Sequence, residues 1–207
     1  MNRARTLTGA VLLASIVLSP VRALAQNADN KVQAEALFED GRRLMEAKNF
    51  SAACPKLEAS EKLDPGAGTL LNLAACYEGN GQLASAWVTY KDAAAAAQSR
   101  HPDWADQANA KADELKPKLS HLTVVVSQSL PGLEVKRDGN VIAEGVFGAA
   151  MPVDPGPHTI DATAPGHISF STKVVIPASQ GSATITIPAL AAQAGPAQPQ
   201  TQSSKAG

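Results

Sequence analysis

The sequence predicts two separate domains, an all-α domain followed by an all-β domain, that is, an α+β chain. Between residues 34 and 118, apolar residues recur at spacings of three and four, which is typical of amphipathic helices. From Leu122 onward, apolar and polar residues alternate, as they do in half-buried strands. Asp-Gly and Pro-Gly pairs interrupt this second region at short intervals and predict tight turns. The two patterns meet near residue 120.

Residues 1–25 have the features of an export signal. Arg3 and Arg5 supply a positive start, an apolar core spans residues 10–18, and Ala23-Leu24-Ala25 matches a small-x-small cleavage site. The apolar core is too short to cross a bilayer, because a membrane-spanning helix needs about 20 apolar residues. We therefore expect cleavage after Ala25 and a mature chain in the periplasm or at the cell surface, without an integral membrane segment.

The mature chain is expected to contain four segments. Residues 26–33 are predicted to be a linker, 34–118 the helical domain and 119–190 the β-domain. Residues 191–207, rich in Ala, Gln, Pro and Ser, are predicted to be a disordered tail. Removal of the three arginines of the signal leaves 15 Lys and Arg against 19 Asp and Glu, mixed along the chain. Without a basic stripe, nucleic acid is not an expected partner.

The helical region contains an internal repeat with a period of 33 residues. Each unit is predicted to be two helices, with Asp64-Pro65-Gly66 closing the first unit and Gly79-Asn80-Gly81 separating the helices of the second. A further helix from Pro102 to Leu115 is expected to cap the stack, with Trp104, Ala108 and Leu115 as its apolar stripe. The positions that match between the units are Leu37 and Leu70, Gly41 and Ala74, Leu44 and Tyr77, Phe50 and Leu83, Ala53 and Ala86, Leu57 and Tyr90, and Ser60 and Ala93.

The stretch from Leu70 to Tyr77, followed by Gly81, Ala86, Tyr90 and Ala93, resembles the signature of the tetratricopeptide repeat family. The resemblance covers about two repeats. It implies a concave groove lined by the first helix of each repeat, in which Asn72 would contact the backbone of a bound peptide. The other residues that the resemblance places in this groove are Phe38, Arg42, Met45, Leu71 and Ala75. Glu39 stands where a first-repeat counterpart of Asn72 would be, so a paired-asparagine clamp for a terminal carboxylate is not predicted.

The two cysteines of the chain both lie in the helical region. Cys54 belongs to the second helix of the first unit and Cys76 to the first helix of the next, each about eleven residues from the turn at Pro65-Gly66. Antiparallel helices on either side of this turn place the two cysteines level with each other. The sequence therefore favours a disulfide, as expected of an exported chain. The alternative is two free cysteines that pack as small apolar residues.

The second region predicts six or seven short strands in a small antiparallel sandwich. The segment from Val153 to Ile160, followed by Ala164-Pro165-Gly166-His167, resembles the PEGA family of surface-associated β-domains, with His158 and His167 in the places of aromatic residues. This resemblance implies a transthyretin-like sandwich in an envelope or surface setting, and no chemistry.

No arrangement of residues in the sequence predicts a catalytic site. His158 and His167 have no acidic or cysteine partner at a metal-ligand spacing and are predicted to pack in turns. Neither a Gly-x-Ser-x-Gly elbow nor a His-Glu-x-x-His motif occurs. We therefore expect no enzymatic activity, no cofactor and no metal.

The leading hypothesis is a non-catalytic interaction or scaffold module of the bacterial cell envelope that binds a segment of an envelope protein through the helical groove. The alternative is a module that binds cell wall or surface polysaccharide through the β-sandwich. Carbohydrate sites usually present aromatic faces, and Phe147 and Phe170 are the aromatic residues after Leu122.

Overall fold

Five helices form the N-terminal half of the structure, a computed structural model that describes residues 20–178 and 180–193, with side chains from residue 27 onward. They pack in sequence, each against the next. Most of the predicted export signal lies outside the described residues. The helices are α1 (Pro20–Glu46), α2 (Phe50–Leu63), α3 (Ala67–Gly79), α4 (Leu83–Ala97) and α5 (Pro102–Leu115). Within the described residues, no helix has both the length and the apolar character needed to cross a membrane.

Helix α1 extends through residues 26–33, so the prediction of a linker there is wrong. Neither glycine nor proline occurs between residues 21 and 40, and nothing in the local sequence stops the helix. Tertiary contacts also hold this part of the helix. Ala34 is buried, and its carbonyl accepts a hydrogen bond of 2.8 Å from the buried hydroxyl of Ser60 in α2.

Helix α5 has the predicted bounds, but its predicted apolar stripe is only partly right. Ala108 and Leu115 are buried, whereas Trp104 is 38 % exposed. The buried residues of α5 are Ala105, Ala108, Ala112 and Leu115, and Trp104 precedes the first of them by one position. One position turns a side chain by about 100° around a helix, which carries Trp104 off the buried face.

The α1–α2 pair depends on a close approach of the two helices at Gly41. A Cβ atom at this position would lie 2.7 Å from Cγ of Leu57, which is fully buried. Leu57 shares a core cluster with Ala53, Cys54, Leu73 and Cys76. The repeat pattern therefore has a small residue at Gly41 because the buried Leu57 side chain occupies the space that a larger side chain would need.

Seven strands form the C-terminal half and are arranged in two sheets. The three-stranded sheet has the order β4-β1-β7, and the four-stranded sheet the order β3-β2-β5-β6. The predicted layout of a helical domain followed by β-structure is therefore confirmed. The strands are β1 (Ser120–Val126), β2 (Glu134–Arg137), β3 (Asn140–Ile142), β4 (Ala150–Val153), β5 (Gly156–Thr163), β6 (Phe170–Ile176) and β7 (Ser182–Ile187).

The prediction of a purely antiparallel sandwich is wrong, because β1 and β7 pair in parallel along residues 121–126 and 182–187. Alternation along a strand tells which side chains are buried but not the direction of the neighbouring strand. The predicted hairpin at Asp138-Gly139 is confirmed. It joins antiparallel β2 and β3, and both residues have the positive φ, 51° and 80°, that a two-residue type I′ turn requires.

The segment before β6 is hydrogen-bonded to residues that were predicted to belong to the C-terminal tail. Ile168, which belongs to the alternating pattern of apolar and polar residues, precedes β6 and is 58 % exposed. Its amide donates to the carbonyl of Ala191, and the amide of Gln193 donates to the carbonyl of Gly166, both at 2.8 Å. Residues 191–193 therefore belong to the β-domain, and the predicted tail boundary at 191 is too early. The rest of the predicted tail lies outside the described residues.

Candidate partner-binding groove and the contact between the domains

The cysteine pair joins α2 to α3, the helix that carries three of the predicted groove residues. Cys54 of α2 and Cys76 of α3 are at disulfide distance, with their Cα atoms 5.6 Å apart, and both are buried. This distance confirms the predicted pairing and contradicts the alternative of two separate thiols. The bridge joins the second helix of one repeat to the first helix of the next.

The predicted groove residues lie on α1 and α3. A cavity of about 200 Å³ separates these helices near the α2–α3 turn, and Phe38 of α1 lines it together with Gly68 and Thr69 of α3. The structure therefore brings Phe38 close to the start of α3.

Arg42 is exposed and is surrounded by residues of its own helix. Its guanidinium carbon lies 5.9 Å from the centroid of the Phe38 ring, within the range of a cation–π contact. Carboxylates of Glu39 and Glu46 lie 3.8 and 4.0 Å from its nitrogens. Two acids around one arginine leave this group of three side chains with a net charge of −1.

Asn72 is half-buried on α3 and already uses its amide donor. Its Nδ2 donates a hydrogen bond of 2.8 Å to the carbonyl of Gly68, one turn earlier in the same helix. Among the described residues, no donor is hydrogen-bonded to its Oδ1 atom. The side chain is thus held in one orientation and can accept a hydrogen bond from a bound backbone amide.

The remaining predicted groove residues also take part in the core. Met45 packs against the cluster that contains the cysteines, and Leu71 packs against the cluster formed by α4 and α5. Ala75 is half-buried. Substitution of Met45 or Leu71 would therefore affect stability as well as any surface.

A second cavity, which the sequence analysis did not predict, lies on the other side of the α2–α3 turn. It has a volume of about 330 Å³ and is bordered by Trp104 and His101 of α5, whose rings stack 4.3 Å apart. Its other lining residues include Arg100, Leu70 and Glu61. It shares Pro65, Gly66 and Gly68 with the first cavity. The sequence predicts Trp104 in the core because spacing alone does not distinguish a residue of the apolar stripe from one that lies a single position outside it.

Glu61 holds the turn between the two cavities. Both oxygens of its carboxylate accept hydrogen bonds from the Gly66 amide, at 3.1 and 3.3 Å. Burial raises the pKa of Glu61; the hydrogen bond from Gly66 opposes this shift, and the nearby charge of Asp64 adds to it. The turn is therefore fixed by a side chain of α2 rather than by its own residues.

The aromatic residues of the β-domain offer little free ring surface. Phe147 and Phe170 are both half-buried and pack against the core of the sandwich. Phe147 also borders an open depression of about 340 Å³ together with Ser129 and Glu144. Binding of cell wall or polysaccharide by this domain stays a prediction.

His158 and His167 do not lie together: His158 is in strand β5, with its ring beside the β2–β3 turn, and His167 directly follows the Pro165-Gly166 turn. His167 Nδ1 is 2.8 Å from the carbonyl oxygen of Pro165. His158 lies between Asp138 and Asp154. Within residues 20–178 and 180–193, no three His, Cys, Asp or Glu side chains are grouped so that they could hold a metal ion.

Asp154 of the β-domain caps a helix of the helical domain. Its carboxylate accepts hydrogen bonds from the amides of Ala84 and Ser85, at 2.8 and 3.0 Å, and from the Ser85 hydroxyl. These amides belong to the first turn of α4, where the side chain of the local cap residue, Gln82, makes no capping hydrogen bond. A carboxylate at this place satisfies free helix amides and complements the positive end of the helix dipole. Beside this contact is a cleft of about 330 Å³, lined by Trp87, Val88 and Arg137 among others.

The chain matches no family model and no curated protein. Among solved structures, the solution structure of protein BPP2914 from Bordetella parapertussis is similar to it, with 25 % sequence identity over 50 % of this chain and 90 % of that one, and a TM-score of 0.38. A structural similarity this low does not support a conclusion about the fold or the function of this chain. The tetratricopeptide and PEGA resemblances therefore stay predictions.

Proposed function

We propose that the protein is a non-catalytic interaction module of the bacterial cell envelope, whose helical domain binds a segment of a partner protein. The observation that carries this proposal is a path of two cavities across α1, α3 and α5, with an aromatic side chain, Phe38 or Trp104, in the lining of each. Phe38 lines the first cavity, Gly68 borders both cavities, and a Cβ on Gly68 would lie 3.7 Å from the ring of Trp104. A partner that covers this path would bury two aromatic rings, and such rings commonly dominate binding energy at interfaces.

The shape of the path favours an extended segment over a folded surface. The two cavities, of about 200 and 330 Å³, lie on either side of the narrow Pro65–Gly68 turn. Neither could accept a helix, but each could accept one or two side chains of an extended chain. The occupant that we propose is therefore an extended peptide with one side chain in each cavity.

The cysteine pair supports export. Disulfides persist in oxidising compartments and are rare in the cytosol, and Cys54 and Cys76 are at disulfide distance. Cleavage after Ala25 would shorten α1 but would leave Ala34, which accepts the hydrogen bond from Ser60, in place. The helical domain therefore does not need its signal in order to keep its α1–α2 contact.

We expect the protein recovered from bacterial cells to begin at Gln26 and to fractionate with the periplasm or the cell surface. Intact-mass measurement of the purified protein, together with fractionation against a cytosolic marker, checks this. A chain that retains residues 1–25 and remains in the cytosol would contradict the proposed export.

The groove is tested by substitutions at its two ends and its centre. A photo-reactive residue in place of Glu35, an exposed residue that lines the first cavity, should crosslink the partner in intact cells, and the crosslinked segment can then be made as a peptide. We expect Trp104→Ala to weaken binding of this peptide about 30-fold or more, as truncation of a hot-spot aromatic does, and Arg42→Glu with Asn72→Ala to abolish recovery of the partner. Isothermal titration calorimetry measures the affinities.

Arg43→Glu is the matched control for Arg42→Glu. Arg43 is the next residue of α1, is also exposed, and pairs with Asp40 rather than lying over the Phe38 ring. It should leave the affinity within about twofold. If Trp104→Ala and the Arg42–Asn72 pair of substitutions bind the peptide as well as the unaltered protein, the proposed groove is wrong.

A further inference from the structure

Strand β7 forms one edge of the three-stranded sheet, and among the described strands it pairs with β1 alone. At the start of this parallel pair, the amide of His121 donates to the carbonyl of Gly181. Along a parallel pair, alternate residues of a strand direct their backbone groups toward the neighbouring strand. The odd-numbered residues of β7 therefore bond to β1, and the amides and carbonyls of Ser182, Thr184 and Thr186 point away from it.

These three residues leave the edge of β7 open. All three are exposed, and within residues 20–178 and 180–193 their amides and carbonyls have no hydrogen-bond partner. A row of unpaired backbone groups at the edge of a sheet can accept a further strand. The edge of β7 is thus a surface on which an extended chain could add to the sheet.

The other three edge strands of the described sheets have features that discourage such pairing. β3 has three residues, β4 has four and contains Pro152, and β6 has Lys173 at its centre. Short length, proline and lysine are common means by which edge strands avoid pairing with other chains. β7 has none of these features, because Ser182–Ile187 is six residues long and contains neither proline nor a charged residue.

The sheet that ends in β7 carries no charged residue at all. Asp, Glu, Lys and Arg are absent from β1, β4 and β7, whereas β2, β5 and β6 contain them. A charged partner strand would therefore find no opposite charge on this sheet. A second copy of the chain would meet no like charge, which is the interaction that most opposes the pairing of identical strands. The edge thus fits its own copy better than a charged segment of another protein.

We propose that β7 is a self-association edge, at which two copies of the chain pair antiparallel about a twofold axis and join their three-stranded sheets into one continuous sheet. The register that uses all three open residues places Thr184 opposite the partner's Thr184, and Ser182 opposite the partner's Thr186. Each such pair exchanges two backbone hydrogen bonds. The side chains that meet across the axis are then threonine with threonine and serine with threonine, which are favourable cross-strand pairs. This inference does not depend on the proposed groove.

The other edges limit the association to two copies. Once the two β7 strands have paired, the joined sheet ends at both sides in β4, the short strand that contains Pro152. In the second sheet, symmetric pairing of β6 about its centre would bring Lys173 opposite the partner's Lys173. A twofold contact between identical surfaces closes on itself. The expected product is therefore a dimer and not a filament.

Sedimentation velocity of the purified chain from about 1 to 200 µM measures the association. We expect a monomer–dimer equilibrium with a dissociation constant of roughly 1 to 100 µM, because one strand pair is a small interface. Over the same range, hydrogen exchange measured by NMR should show that the amides of Thr184 and Thr186 become protected as the dimer forms. The amide of Lys173, on the edge strand of the other sheet, should show no dependence on concentration.

Substitutions at the centre of the pair test the register. Thr184→Lys and Thr184→Glu each place like charges on the twofold axis and should weaken the dimer about tenfold or more. A mixture of these two variants brings opposite charges together and should restore association. Thr184→Pro should also prevent it, because the amide that it removes faces the open edge and not β1. Ala150→Lys, at an exposed position of the opposite edge strand β4, is the matched control and should leave the dimer unchanged.

Three results would overturn the self-association edge. The first is an unaltered chain that sediments as a monomer up to about 200 µM, far above the affinity range expected of a specific strand pair. The second is protection of the Thr184 amide that does not depend on concentration, which would mean that a segment of the same chain covers the edge. The third is a dimer that Thr184→Lys weakens no more than Ala150→Lys does, which would place the contact on another surface.

Discussion

Loss of the Cys54–Cys76 bridge is expected to lower the melting temperature of the helical domain by about 12 to 24 °C. The bridge closes a loop across 22 positions of sequence. In the loop-entropy description, such a closure stabilises the folded state by about 3 kcal/mol, because the unfolded chain loses conformations. For a domain of this size, each kcal/mol moves the melting temperature by about 4 to 8 °C.

The measurement is thermal unfolding followed by circular dichroism at 222 nm, where the helices dominate. The double variant Cys54→Ala with Cys76→Ala removes the bridge but also removes two buried sulfur atoms, so its loss alone does not isolate the cross-link. Reduction of the unaltered protein isolates it. Reductant should lower the melting temperature of the unaltered protein and leave that of the double variant unchanged. A melting temperature of the unaltered protein that ignores reductant would show that the bridge does not contribute.

Gly41→Ala and Leu57→Ala are each expected to destabilise the α1–α2 pair and to compensate for each other when combined. Leu57→Ala should cost about 2 to 5 kcal/mol, since it empties a fully buried site. Gly41→Ala should cost about 1 to 3 kcal/mol, because the new methyl group would lie 2.7 Å from Cγ of Leu57. In the Leu57→Ala background this contact is gone, and the next atom, the Ala53 carbonyl oxygen, is at an ordinary 3.5 Å.

The effect of Gly41→Ala on the free energy of unfolding should therefore change from destabilising to stabilising in the Leu57→Ala background. Alanine is better than glycine inside a helix by about 0.5 to 1 kcal/mol, so Gly41→Ala should stabilise the Leu57→Ala variant by roughly this amount. Urea unfolding of the four proteins of the double-mutant cycle measures the coupling. Gly68→Ala is the matched control, since a Cβ there would come no closer than 3.7 Å to Trp104 and should not destabilise. Additive effects of Gly41→Ala and Leu57→Ala would contradict the packing described for this pair.

Local signals in the sequence were sufficient for those elements that neighbouring residues specify. The bounds of α5 follow from a proline at its start and a proline just beyond its end, and the β2–β3 hairpin follows from Asp138-Gly139. The cysteine pair was also within reach, because equal spacing on either side of one turn is a property of the sequence.

The features that the sequence did not reveal depend on residues far apart in the chain. The packing of α1 against α2 at Ala34 includes a hydrogen bond from Ser60, and the direction of β7 relative to β1 depends on the path of all the strands between them. The cap of α4 comes from Asp154, about 70 residues later. An Asp-Pro-Gly turn gives no sign that its carboxylate reaches another domain, and an apolar position gives no sign that Trp104 faces outward.

The candidate groove was predictable only as a resemblance. The repeat pattern places Phe38, Asn72 and Leu71 on first helices, but it cannot distinguish the residues that face a groove from those that face the next helix. The structure separates them: Leu71 packs against α4 and α5, while Phe38 lines a cavity. Trp104, in the capping helix, lies outside the two repeats that the pattern covers.

The parallel pairing of β1 and β7 also determines how the β-domain would respond to mechanical load. These strands carry the two ends of the domain, run in the same direction and are adjacent over six residues each. Tension that draws the beginning of β1 and the end of β7 apart therefore acts along the strands and strains every hydrogen bond of the pair at once, whereas an antiparallel pair would open one bond at a time. Tension along the first and last strands of the β-domain is thus borne by the whole β1–β7 pair.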